Sequence, residues 1–448
     1  MIYSFLKKVC TLALRVYFRK MHVYGREHIP VEGPYLVVAN HPSSFLDPLC
    51  IATQLKPKLN FLAKAVMFKN KLVASILRGL NMLPIYRAQD DPGLLNKNKE
   101  VFQGCYDKLA KNGVIMIFPE GTSEAERRLR KIKTGAARIA LGAEQENNFS
   151  LNLKILPVGL NYTKSCRFRS EVIVNFGEPI AIKDYLEMYQ ANGMNTVKQL
   201  TDDIENSIRN LMIAIDEKEQ DELVEQIEHI FKTSLPQEVD AMEQVKLSQG
   251  IVDAIRFYQK NDPRLYDDMA GNLDQFFRKL ESVGLSYRSF EKIDKRKRLI
   301  PEMLRSAFAL IIGFPLWLFG IITNYIPYKL PRFFALRITK SEAFYGALLM
   351  SLGTFIFILF YSMEIYLFWR FTQLGILTLC FGAILILTGF FTILYARNAR
   401  RLYFDMRLLF KLIRKKELMK ELARERITLI NHLNLLKDQY LINNSVSD

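Results

Sequence analysis

The sequence predicts an α/β fold, with a mixed, largely parallel sheet flanked by helices, then a helical extension and a C-terminal transmembrane helical hairpin. Three observations predict it. Between about residues 21 and 190, short apolar β-rich runs alternate with helical patterns, as in an α/β layer. From 195 to 300 the strand signals vanish and charged helical spacing takes over. From 306 to 396 the chain is overwhelmingly apolar.

The opening "MIYSFLKKVCTLALRVYFRK" carries lysines inside its apolar run and lacks a small-residue cleavage site. Residues 1–20 are therefore read as an amphipathic interfacial helix, with a buried soluble helix as the alternative. In the α/β region (21–190) the strand candidates are "MHVYG", "YLVVAN", "LNFLAK", "MLPIYR", "VIMIFPEG", "LKILPVGLNY" and "EVIVNFG". Helices are expected over 43–55, 66–79, 95–111 and 132–146. Ligand sites in such sheets lie beyond the carboxyl ends of the strands. The helical extension, 195–300, shows no chemical motif, and His229 there reads as an ordinary helix residue.

Three stretches reach the roughly 20 apolar residues a membrane span needs. Residues 306–328 are uncharged but hold Pro315 and Pro327; 343–369 carry one acid, Glu364; 371–396 carry none. Basic clusters precede the first (Lys292, Lys295, Arg296, Lys297, Arg298, Arg305), separate first and second (Lys329, Arg332, Arg337, Lys340) and follow the third (Arg397, Arg400, Arg401, Arg407, Lys411, Arg414, Lys415, Lys416). Positive flanks stay cytoplasmic, and only the joint near Arg370 lacks a cluster. The expected topology is a hairpin over 343–396 with both ends inside, and a re-entrant 306–328 segment; three full spans is the alternative. The α/β region is then expected on the cytoplasmic face of an integral membrane protein. Glu364 is expected near the headgroups at the far end of the hairpin. The tail, 397–448, spaces Met406, Leu409 and Ile413 helically among arginines and lysines, as a basic amphipathic helix on an anionic membrane does.

The formal charge of +16 suits anionic partners. With no aromatic RNA-binding signature, zinc-finger spacing or helix-turn-helix cue, the sequence favours a phospholipid surface or phosphorylated substrate over nucleic acid. The five cysteines are scattered without a C-x-x-C pair, as small reduced hydrophobes. No metal site or cofactor is expected.

Chemistry concentrates in four blocks. "YLVVANHPSSFLDPLC" ends an apolar strand in His41, with Asp47 six residues on. An imidazole gains and loses a proton near neutral pH, and a carboxylate on its far nitrogen fixes the tautomer. "MLPIYR" closes a strand with Arg87, a guanidinium suited to phosphate. "VIMIFPEGTSE" ends a strand in Glu120, Gly121 and Thr122, where backbone N–H groups can hold an anionic oxygen. "ILPVGLNY" interrupts a strand with Pro157 and Gly159. Lys133, in "KIKTGAARIA", is a further candidate phosphate contact.

In this order the four blocks resemble the phospholipid/glycerol acyltransferase family, over roughly residues 21–180. The resemblance implies His41 as general base with Asp47 as its partner. It implies Arg87, Glu120 and Gly121, with Thr122 beside them, as the glycerol-phosphate site, and Pro157 in the wall by the acyl donor. It implies an acyl-CoA or acyl carrier protein thioester as co-substrate, and glycerol 3-phosphate, dihydroxyacetone phosphate or the 1-acylated product as acceptor. Another lysophospholipid or lipid-linked acceptor, or a non-catalytic lipid-binding scaffold, is the alternative. Two departures stand out. The usual spacing is H-x4-D, whereas five residues separate His41 from Asp47; in a regular helix one more residue turns a side chain by about 100°. The longer spacing resembles the branch with fungal glycerol-3-phosphate/dihydroxyacetone-phosphate acyltransferases. Asn81 stands where the arginine block often has glycine.

Overall fold

The computed structural model describes residues 2–87, 93, 96, 98–217, 220–234, 239–290 and 296–445. Lys292 and Lys295 of the first basic cluster, and the start of the helix expected at 95, lie outside the described residues. The chain folds as two compact units, residues 1–218 with 335–351 and residues 219–334 with 352–448.

The first unit is built on an eight-stranded sheet: β1 (Lys20–Tyr24), β2 (Tyr35–Ala39), β3 (Leu59–Lys64), β4 (Met82–Ile85), β5 (Val114–Ile117), β6 (Lys154–Tyr162), β7 (Glu171–Phe176) and β8 (Ile180–Ala181). The order is β1-β7-β6-β2-β5-β3-β4, with β8 beside β6. All pairs are parallel except β6 with β7 and β8. The seven expected strands all form; β8, two residues long, carries no readable signal.

Every residue of β2 is buried, because helices cover both faces of this central strand. Its side chains alternate: Tyr35, Val37 and Ala39 enter one core, Leu36 and Val38 the other. The first core takes Leu14, Tyr17 and Phe18 from the end of α1 (Ile2–Tyr17) and the residue after it, and Leu46, Cys50 and Ile51 of α2 (Leu46–Ala52). Ala347 and Met350 also enter it. α1 is thus partly a core helix, while its Phe5 and Leu12 face outward. Next along the chain come α3 (Lys71–Gly79), α4 (Asn98–Ala110), α5 (Gly135–Glu146), α6 (Leu186–Ala191) and α7 (Gly193–Leu211). The second core lies under α4, α5 and α7. Leu200, Ile204 and Ile208 of α7 pack into it. The boundary expected at 190–195 therefore moves: α7 has charged spacing on one face, but its apolar stripe completes the sheet core.

The second unit opens with α8 (Gln220–Ser234), α9 (Ala241–Asn261), α10 (Pro263–Ser282) and α11 (Tyr287–Phe290). Then come α12 (Arg296–Ile338), α13 (Glu342–Thr372), α14 (Gly375–Arg414) and α15 (Lys416–Ser445). Among the described residues three helices, α12, α13 and α14, are long and apolar enough to cross a membrane. Gln373 and Leu374 alone join α13 to α14. α14 runs unbroken through Arg397 to Arg414, so the tail expected from 397 begins as the same helix.

Candidate active site

The parallel strands β2, β3, β4, β5 and β6 all end at one edge of the sheet. His41 lies two residues beyond β2, Arg87 two beyond β4, Glu120 three beyond β5, and Tyr162 closes β6. Asn40 pins the first of these loops. Its amide donates to Leu160 O at 3.0 Å and accepts from Leu160 N at 2.7 Å, so a side chain extends the ladder one step past the strand.

His41 and Asp47 meet. Nδ1 of His41 lies 2.8 Å from Oδ2 of Asp47. The same oxygen accepts the Ser43 N–H at 2.7 Å, and Oδ1 accepts the Tyr162 hydroxyl at 2.7 Å. The Asp47 side chain is wholly buried, whereas the imidazole keeps 20% of its surface open. An ionised carboxylate here places the proton on Nδ1 and leaves the Nε2 lone pair as a base. The imidazole stacks on Phe118, ring centres 4.0 Å apart, which fixes its plane. Burial, and then the charge of Asp47, pushes the Tyr162 phenol well above its usual range, so it remains a donor. Burial likewise pushes the Cys50 thiol up, away from nucleophilic thiolate.

The extra residue between His41 and Asp47 is absorbed before the helix starts. Ser44 adopts a left-handed backbone, φ 45°. Leu46 N bonds to Ser43 O at 3.0 Å, and α2 begins only at Leu46. The 100° mismatch of a regular helix never arises. Asn81 is explained similarly: its φ is 59°, a conformation glycine adopts freely and asparagine tolerates best among other residues.

Glu120 is buried and ties two loops together. Its oxygens accept the N–H of His41 at 2.8 Å and of Arg130 at 3.3 Å. Burial raises its pKa, and these two N–H groups offset part of the rise. Read from sequence as a contact for the acceptor or as a holder for an arginine, Glu120 here brackets two backbone N–H groups.

Beside it, Gly121 has φ 72°. Arg87 Nη1 donates to Gly121 O at 2.5 Å. A Cβ at Gly121 would meet Lys133 Nζ at 2.7 Å. Two cations from separate segments therefore converge on one glycine turn. Nearby, the Arg130 guanidinium grips Glu124 and also reaches Glu126 at 3.4 Å. Thr122 Oγ1 lies 3.5 Å from Arg130 Nη1, at the margin of this group. Pro157 lies on the strand that neighbours β2. It sits buried in β6 beside Val38, between the residues that pair with β8 and those that pair with β7, where a missing N–H breaks no ladder bond.

Sequence reasoning missed Tyr162, Phe118 and the amides of Ser43 and His41. Tyr162 had a usable signal, a polar-tipped residue at the carboxyl end of a strand neighbouring the His41 strand. The backbone donors had none.

The geometry pairs a buried aspartate with a partly open imidazole beside a cationic turn. Residues 20–161 match the model of the Acyltransferase family. Glycerol-3-phosphate O-acyltransferase 1 of Saccharomyces cerevisiae is 32% identical over 170 residues, 37% of this chain and 22% of that protein. Glycerol-3-phosphate O-acyltransferase 2 of the same yeast is 29% identical over 248 residues, 54% of this chain and 31% of that one. The 1-acyl-sn-glycerol-3-phosphate acyltransferase of Bacillus subtilis is 29% identical over 138 residues, 30% of this chain and 64% of that one. The matches thus span less than a third of either yeast relative's own length. A solved chain, the 1-acyl-sn-glycerophosphate (LPA) acyltransferase PlsC of Thermotoga maritima, is 20% identical, with a TM-score of 0.31 over 44% of this chain and 79% of that one.

Proposed function

We propose that the chain is a membrane-bound O-acyltransferase of phospholipid biosynthesis. It moves a fatty acyl group from an acyl-CoA or acyl carrier protein thioester to a hydroxyl of glycerol 3-phosphate, dihydroxyacetone phosphate or 1-acylglycerol 3-phosphate. The observation that carries this reading is the His41–Asp47 pair, 2.8 Å apart, with the aspartate sealed from water and the imidazole open. The similarity to two glycerol-3-phosphate O-acyltransferases tilts the acceptor towards the unacylated phosphate.

In this reading Arg87 and Lys133 hold the acceptor's phosphate, which brings a hydroxyl to His41. Nε2 takes the hydroxyl proton as the oxygen attacks the thioester carbonyl. The carbonyl becomes a tetrahedral oxyanion. When it collapses the C–S bond breaks, the sulfur leaves with the proton from the imidazolium, and an ester remains. Asp47 stabilises the transient imidazolium without taking its proton. No covalent enzyme intermediate is needed: Cys50 is buried and neutral, and Ser43 lends its amide to Asp47. The lipid product belongs in a bilayer, and α12 to α14 keep the domain on the cytoplasmic face of an anionic one.

The test is transfer from labelled acyl-CoA and acyl carrier protein thioester by the full chain in membranes, over a panel of acceptors. Acylation of glycerol 3-phosphate, dihydroxyacetone phosphate or 1-acylglycerol 3-phosphate supports the reading. Transfer only to another lysophospholipid moves the acceptor, and binding without transfer to any acceptor overturns it in favour of a scaffold.

A further inference from the structure

α3, read from the sequence as an ordinary helix of the α/β layer, does not pack as one. Asn70 opens it, its side chain accepting Leu72 N at 2.9 Å and Val73 N at 3.3 Å. Ala74 and Leu77 face the protein, 5% and 8% exposed. At about 3.6 residues per turn, Leu72 and Ile76 fall on the opposite side. They are 72% and 57% exposed, and Val73 on the flank is 40% exposed. Three of the four branched aliphatic side chains of α3 thus face outward, where a helix that only covers a sheet carries polar residues.

The apolar surface continues at the edge where His41 and Arg87 stand. Val66, 46% exposed, lies in the single helical turn Ala65–Phe68 that leaves the carboxyl end of β3. Phe45, also exposed, meets Phe344 of the same unit edge to face, ring centres 6.2 Å apart. Lys64 Nζ lies 5.9 Å from the centre of the Phe344 ring.

Charge follows the same face. Between Asp47 and Asp90 the chain has seven lysines and arginines and no acid, with Lys69, Lys71 and Arg78 bordering the α3 stripe. The steps from β2 through α2 to β3 and from β3 through α3 to β4 cross the sheet in one direction. Right-handed crossovers therefore put α2 and α3 on one face, the face that α1 also covers. α1 exposes Phe5 and Leu12, and no acid precedes Glu27. α4 and α5 lie on the other face. Among the described residues they expose no large apolar side chain, and they carry Glu100, Asp107 and Glu146. One face is thus apolar and basic together. Protein interfaces are depleted of lysine, whereas helices that lie in anionic headgroups are rich in it.

We infer that α3, with the Ala65–Phe68 turn, is an interfacial anchor for an anionic bilayer: it lies among the headgroups with Leu72 and Ile76 in the acyl boundary, and it seats the carboxyl edge of the sheet on the lipid. The inference rests on membrane residence but not on acyl transfer.

The test uses the full chain in phosphatidylglycerol vesicles, with Trp317→Phe and Trp369→Phe removing both tryptophans. Single reporters are placed by Leu72→Trp, Ile76→Trp and, on exposed α4 surface, Ala110→Trp. An interfacial helix buries its apolar face about 5–10 Å deep, so the reporters at 72 and 76 are expected to lose about half their emission to lipids brominated near the top of the acyl chain. The reporter at 110 is expected to lose none. Quenching at 72 and 76 no greater than at 110, in a chain that stays in the membrane through carbonate, overturns the anchor and leaves the membrane reading standing. Extraction by carbonate overturns both. Quenching at 76 is expected to fall to the level at 110 in phosphatidylcholine vesicles, and also on phosphatidylglycerol when Lys69→Glu, Lys71→Glu and Arg78→Glu are combined. Undiminished quenching in either case overturns the anionic partner. None of these readouts depends on acyl transfer.

Discussion

The segment after β2, at the start of α2, and the loop after β5 each bury one carboxylate within reach of His41, and they use it differently. Asp47 spends its lone pairs on an imidazole, a phenol and one amide. Glu120 spends its own on two backbone amides. The first partner set includes the partly open imidazole of His41, so a change at Asp47 reaches that ring. The second set is rigid frame, so a change at Glu120 reaches the placement of loops. Two buried acids side by side thus do separate jobs, and what each one touches tells them apart better than its burial does.

The comparison is sharpest at Asp47. Asp47→Ala removes the tautomer lock and leaves the imidazolium unsupported; steady-state kinetics should show kcat lower by about 10²- to 10³-fold with acceptor KM little changed. Equal losses in kcat and affinity would assign Asp47 to the frame. Next in size is Gly121→Ala, which puts a side chain on a left-handed residue and displaces Lys133. Acceptor KM should rise about 10-fold, roughly 1.4 kcal/mol, with a smaller change in kcat; an unaltered KM would remove the cationic turn from the acceptor site.

Glu120→Gln probes the bracket by pH. Because burial raises the Glu120 pKa in the folded state, the folded protein holds that proton more tightly than the unfolded chain. Glu120's contribution to stability is greatest below the ordinary glutamate value and declines as pH rises through the raised one. Thermal unfolding followed across that window should show this decline in the wild type and its absence in the variant. Identical profiles would separate Glu120 from the pH dependence. The smallest effect is expected at Asn81, where alanine tolerates φ 59° less well than asparagine: Asn81→Ala should cost about 1 kcal/mol in denaturant unfolding and leave kcat unchanged.

The sheet was legible because seven strands announce themselves as apolar runs, and β2 in particular as an uninterrupted "YLVVA". His41 and Asp47 were legible as types, but their meeting was not, since a left-handed Ser44 leaves no mark in a non-glycine sequence. The partners of Glu120 were not legible for a different reason: they are backbone amides, which every residue carries. α7 was assigned to the extension because charges on its outer face hide the Leu200–Ile204–Ile208 stripe. Pro157 drew notice as a break in a strand, and the sheet order shows why it is harmless there.

The central claim is that one imidazole takes the acceptor's proton. Single-turnover acyl transfer by His41→Ala, with thermal unfolding confirming an intact fold, tests it most directly. The expected rate is at least about 10³-fold below wild type, with phosphate-acceptor binding retained. A folded variant that transfers acyl groups at the wild-type rate would contradict it.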